Sequence, residues 1–288
     1  MPAGIVSIDV SDSLSDTFEY MAYEVTQQRG FVLRAKENRK LETPLNGGWY
    51  LLDAVRSLPA KGARQVEVLP SPKRKGRTTT VKVSFAAVHL AVPKKHSGEY
   101  AKVPLPLWAV RIWELNTPSG EEPLEWILLT NVAVAQVTDA QVRADWYACR
   151  PIVEELHKGM KTGCGIETMQ FEKIERLEPA IAVLSAVTTT LLRLRDAARA
   201  ADAETRPAQE VVDAEYVEVL SNHYGKKLGP KPSVKQFYMY VARLGGHQNR
   251  KCDGFPGWIT LWRGWMKLQS MLDGYRAALK KLRKCCKT

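Results

Sequence analysis

The sequence predicts an α/β protein, and three observations carry that expectation. Residues 5–39 read strand, helix, strand; residues 45 to about 130 break into short β-like runs separated by Pro, Gly and Lys-rich turns; and the rest of the chain is dominated by helical periodicity. They divide the 288 residues into segments 1–44, 45–130, 131–204 and 205–288, and a chain of this length can bury a substantial core.

The first strand is the largely alternating run Ile5, Val6, Ile8, Val10, which closes at Asp12. A carboxylate at the end of a strand is where open α/β sheets place their chemistry, with Asp9 in the same strand as the rival position. A helix over residues 17–29 and a strand FVLRAKENR follow. QVEVLP, TTVKVSFAAVHLAV, PLWAVRIWEL and EWILLTN then read as strands, with SPKRKGR as a charged loop and Trp108 and Trp113 as core residues. Thr138, with Gln141 three residues on, predicts a helix start. Pro151 has no N–H and suits a first helical turn, so a break is expected at Cys149 and Arg150 with a new helix from Pro151. KTGCGIET is a glycine-punctuated turn, and residues 171–203 form one long helix with Pro179 as a kink. Trp258, Trp262 and Trp265 fall at i, i+4 and i+7, a stripe for helix packing, and KKLRKCCKT is a basic tail.

Forty-two Lys and Arg against 31 acidic residues give a formal net charge of +11, which favours a polyanionic partner. The five cysteines have no C-x-x-C spacing, so neither a disulfide framework nor a zinc site is expected, and free thiols suit a reducing, cytoplasmic setting. The most apolar stretch, Ala180 to Leu194, contains threonines and an arginine, so no membrane span is expected.

The chemistry concentrates in residues 147–161, YACRPIVEELHKGMK. On a regular helix Glu154, Lys158 and Lys161 share a face, where a carboxylate can ligate a hard cation and the cations beside it can neutralise phosphate oxygens. The same spacing on a solvated face would contribute only about a few tenths of a kcal/mol per pair. Tyr147, Arg150, Glu154 and Lys161 also make up the spacing Tyr-x2-Arg-x3-Glu-x6-Lys. That signature resembles the DDE transposases of bacterial insertion sequences, in the cut-and-paste group named for its Tyr-Arg-Glu-Lys motif.

The resemblance implies a partial RNase H-like catalytic domain, with the β-rich segment 45–130 inserted and a carboxy-terminal helical region that pairs subunits and touches DNA. Glu154 would be the third acidic metal ligand, and Asp12, in the pattern Asp12, Asp16, Phe18, Tyr20, the second. Tyr147, Arg150 and Lys161, helped by Lys158, would bind the DNA end. Arg34, Lys36 and Arg39 match a basic pattern used on the DNA backbone, and Trp126, 21 residues before Tyr147, a tryptophan that stacks on a displaced base. Core packing of Trp126 is the competing assignment.

Mg²⁺ or Mn²⁺, as a two-ion site, would be the cofactor, and double-stranded transposon ends the partner of a homodimer. Two departures stand out: Pro151 where the family has Trp, and Ser13 where it has Arg. The family's first aspartate has no counterpart here, so the expected molecule is an amino-terminally truncated transposase that does not catalyse alone. A non-catalytic fragment that binds DNA or competes with an intact transposase is the alternative.

Overall fold

Eight strands of one mixed sheet and eight helices account for the regular structure of the computed structural model, which describes residues 7–68, 76–94, 100, 102–250 and 252–285. The chain separates into two compact units, Met1–Pro151 and Ile152–Thr288. The basic loop residues Lys73, Arg74 and Lys75, and the end of the carboxy-terminal tail, lie outside the described residues.

In the first unit β1 (Ile8–Ser11) runs parallel to β2 (Gly30–Arg34), joined by α1 (Phe18–Thr26). β2 then pairs antiparallel with β8 (Glu125–Thr130), Val32 opposite Thr130. β7 (Leu105–Glu114) and β6 (Arg77–Leu90) continue the sheet, with β5 (Gly62–Val68) on one half of β6 and β3 (Lys40–Leu45) at its far end. β4 (Gly48–Tyr50) completes a hairpin with β3, and α2 (Leu51–Arg56) follows.

The strands predicted within 45–130 therefore do not form a sheet apart from the opening strand-helix-strand unit. They extend it, because β2 finds its second neighbour in β8. Nor does a boundary appear at 130: α3 (Val137–Ala148) packs on this same sheet, and its sequence belongs to the first unit.

Alternation along each strand explains the layering. Phe31, Leu33, Ile127, Leu129, Leu105 and Leu107 join α1 and α2 on one face, while Val32, Leu128, Val110, Ile112, Val81 and Val83 face α3 on the other. Both faces are covered, which is why these strands read as near-continuous apolar runs. Where β6 starts and β7 ends, a bidentate ion pair forms: Arg77 donates Nε to Glu114 Oε1 at 3.0 Å and Nη2 to Oε2 at 2.8 Å, and the Glu114 side chain is fully enclosed. The Arg77 hydrogen bonds outweigh burial and hold the Glu114 carboxyl at about 2.

α3 starts two residues earlier than Thr138 and Gln141 suggested. Gln136 is its N-cap, and the Asp139 carboxylate reaches back to accept from Ala135 N and Gln136 N at 2.9 and 3.1 Å. The helix stops at Ala148, and α4 (Pro151–Lys158) begins at the proline, as the missing N–H required.

The second unit holds α4 from Ile152 onward, α5 (Ile174–Arg199), α6 (Ala214–Tyr224), α7 (Val234–Leu244) and α8 (Trp258–Cys285). Its core is Leu191, Leu194, Phe237, Val241, Leu261 and Trp265 with their neighbours; Trp258 is also buried and Trp262 packs alongside, so the tryptophan stripe does face a core. α5 is, contrary to expectation, long and apolar enough by length and composition to cross a membrane, with 28% of the apolar window buried. Its Leu184, Thr188, Leu191 and Leu194 are packed inside.

α7 and α8 meet backbone to backbone. A Cβ at Gly264 would lie 1.9 Å from the Val241 carbonyl oxygen, and one at Gly245 1.8 Å from that of Thr260. Gly264→Ala must separate the helices and is expected to cost about 2–3 kcal/mol, measured as a lowered urea midpoint.

The Glu114 pair gives a pH signature. Because the folded carboxyl titrates near 2 rather than at its ordinary 4.5, the pair's stabilisation is complete above that ordinary value and is lost as pH falls towards 2. Urea midpoints of the wild type should drop steeply across that window; Glu114→Gln should be less stable at neutral pH and show a flatter acid limb.

Candidate functional site

Asp12 closes β1 and caps the short 3-10 turn Ser13–Ser15, accepting from Leu14 N at 2.8 Å through Oδ1. Its other oxygen, Oδ2, accepts from Arg150 Nη2 at 2.6 Å, across 138 residues of sequence. Arg150 can reach it because α3 ends two residues earlier and Pro151 prevents the helix from continuing unbroken.

One turn back on α3 is Tyr147, 8% exposed, its ring set edge-on to Trp126 at 5.0 Å between centroids. Burial pushes the Tyr147 phenol up, and the positive charges of Arg34 and Arg150 pull the other way. Asp12, Arg34, Trp126, Tyr147 and Arg150 thus come together from β1, β2, β8 and the end of α3.

Asp9 has a different environment. Its Oδ2 accepts from the Tyr20 hydroxyl at 2.7 Å, and Ser11 Oγ donates weakly to Oδ1 at 3.5 Å. Of the two aspartates, Asp12 is the one beside the signature arginine.

A cavity of about 590 Å³ opens beside this cluster, its apolar wall formed by Val66, Val81 and Ile112 and its rim by Trp126, Tyr147 and Arg150. Trp126 is partly buried and packs with the core on this face. A second cleft, of about 410 Å³, is lined by Ser13, Arg34, Lys36, Arg56 and Glu125. Glu125 organises it: Arg56 Nη2 and Arg111 Nη2 each donate to its carboxylate at 2.8 Å, and Arg34 Nη2 to its carbonyl at 3.2 Å. Burial pushes the Glu125 carboxyl up, but the two arginines prevail and hold it below its ordinary value.

Two site expectations change in the structure. Arg39 is not available to a DNA backbone, because its guanidinium is spent on buried Asp16: Nε and Nη2 donate to Oδ1 at 3.1 and 2.9 Å, and Nη2 also reaches the Asp16 carbonyl. Asp16 Oδ2 accepts from Lys36 N at 2.7 Å and Glu37 N at 2.8 Å, so the second aspartate of the Asp12–Asp16 pattern is a structural carboxylate. Nothing local in the sequence marks this, because Asp16 lies 23 residues before Arg39.

The second change concerns Lys161. Residues Gly159–Gly163 form a π-helical turn, which carries more residues per turn than an α-helix and breaks the regular spacing from Glu154. Lys161 there pairs with Glu167 at 2.7 Å, both exposed. Glu154 and Lys158 sit in α4 of the second unit, also exposed.

Among the described residues no group of three or more His, Cys, Asp or Glu is placed to hold a metal ion. Asp12 offers a single carboxylate, already engaged by Arg150 and Leu14 N, so the first unit's described side chains do not make a divalent-ion site by themselves. What they do form is a cluster of cationic donors around aromatic rings, a chemistry suited to phosphates and bases. No model of a known protein family matches the chain.

The two ion pairs should respond differently to mutation. Asp16→Ala removes the carboxylate that neutralises the largely enclosed Arg39 guanidinium and accepts from two amides, and is expected to cost about 3–5 kcal/mol. Asp12 and Arg150 are 30% and 25% exposed, so Arg150→Gln should cost below about 1 kcal/mol. Chemical denaturation of both variants beside the wild type checks the contrast.

Proposed function

We propose that this chain is a DNA-binding protein of the insertion-sequence transposase type, and that its first unit is part of an RNase H-like domain. The observation that carries the reading is the Arg150–Asp12 contact. Arg150 was singled out by a signature around α3 and Asp12 by a strand end far away in sequence, and the fold brings them to hydrogen-bonding distance with Tyr147, Trp126 and Arg34.

In this reading Arg34 and Arg150 neutralise phosphate oxygens of a duplex end, and the Tyr147 hydroxyl is the adjacent polar contact. Trp126 stacks on a base drawn out of the helix, and the apolar cavity beside it gives that base room. Lys36 and Arg56 extend the basic surface along the second cleft. Asp12 and Glu154 are the two carboxylates the reading assigns to metal-dependent hydrolysis and strand transfer. The donor set is incomplete among the described residues, so the activity proposed for this chain is end binding, with Mg²⁺ or Mn²⁺ entering only when further carboxylates complete the site.

The parallel β1–β2 pair with its connecting helix supports the RNase H-like assignment. The net charge of +11 supports a polyanionic partner.

The test is fluorescence anisotropy of the full chain on labelled duplex DNA across a salt series in EDTA, followed by Mg²⁺ or Mn²⁺ addition and a gel for nicks. Binding that weakens steeply with salt and falls in Arg34→Gln and Arg150→Gln, without nicking, is the expected result. Salt-insensitive or absent binding would remove the reading. Nicking abolished by Glu154→Ala would instead reveal a complete active site.

A further inference from the structure

Away from the Asp12 cluster, the second unit contains a cavity of about 480 Å³ whose lining includes Lys158, Arg195, Arg199, Glu155 and the aromatic rings of Phe255 and Trp258. Arg195 is largely buried and already neutralised: Nη1 donates to Glu155 Oε2 at 2.5 Å, and its guanidinium carbon lies 4.7 Å from the Trp258 ring centre. Trp258 Nε1 donates to the same Glu155 oxygen at 3.3 Å. The carboxylate is thus consumed by groups that fix its place.

Arg199 and Lys158 remain. With Lys158, Arg195 and Arg199 against Glu155 alone, the charged side chains that line the cavity leave a surplus of two positive charges. Arg199 is held over Phe255, 4.7 Å from its centroid, and Phe255 stacks on Tyr238 at 4.7 Å. With the rings thus occupied, an aromatic base has no free platform here. The remaining chemistry is a guanidinium, an ammonium, the Thr162 and Thr260 hydroxyls, and the backbone of the first turn of α8, which has no acidic residue.

We propose that this cavity is a phosphate-binding site, and that its ligand is a backbone phosphate of the nucleic acid bound by the chain. Arg199 is its principal contact and Lys158 the second. The source of the phosphate rests on the proposed function; the anion site itself does not.

Two measurements on the full chain separate these levels. Calorimetric titration with inorganic phosphate should give binding in the wild type that Arg199→Gln and Lys158→Gln weaken and Arg199→Lys largely retains. In the DNA salt series, Arg199→Gln should lower affinity about three- to tenfold and reduce the slope of log affinity against log salt by about one. Circular dichroism confirms that each variant is folded.

Phosphate binding with a DNA slope unchanged by Arg199→Gln would overturn the backbone assignment and leave free phosphate or a phosphomonoester as the ligand. No phosphate binding and an unchanged slope would overturn the site. If the wild type binds no DNA, the transposase reading fails and the phosphate titration alone decides the cavity.

Discussion

A buried carboxylate fixes the geometry on which the first unit's candidate site depends. Asp16, 1% exposed at its side chain, accepts two backbone N–H groups and two guanidinium N–H groups, which together satisfy a charge that could not otherwise be enclosed. Those donors come from the segment after β2, while Asp16 belongs to the segment after β1. The contact therefore ties together the two strand ends that present Asp12 and Arg34. Losing it would release both loops at once, although neither side chain touches Asp16.

The third partner is set by a helix that ends on time. α3 is anchored at its start by Asp139 and on its apolar face by Ala140, Ala144 and Tyr147, so its last turn has a defined position over the sheet. Pro151 then forbids the next hydrogen bond, and Arg150 falls in the gap where its side chain can turn towards Asp12. The backbone break at Pro151 is thus what aims Arg150 at Asp12.

What was legible in the sequence follows the range of the interactions involved. The strands, α1 and the restart at Pro151 depend on residues within a few positions of one another, and the pattern showed them. The tryptophan stripe of α8 was readable for the same reason. By contrast, Arg39 looked like an exposed backbone contact because its partner Asp16 is 23 residues away. The π-helical turn that moves Lys161 has no local sequence mark either: Gly159 is forced close to Thr188 and Trp258, with a Cβ there 2.6 Å from Thr188 Cγ2. α2 went unread because Leu51, Ala54 and Val55 sit among short β-like runs, and their burial against the sheet outweighs that context. Of the candidate site, the residue types were visible early; which of them meet was decided by pairings across the whole sheet.

The pairing of β2 with β8 sets a clock during synthesis. Val32 leaves the ribosome about 100 residues before Thr130, its partner, so at roughly 5–20 residues per second β2 waits on the order of 10 s with one edge uncovered. Until then it can pair only with β1 on its other side. The nascent chain must carry an open apolar strand for that interval, and a chaperone that holds extended apolar segments would find its binding site there and nowhere in the finished sheet interior.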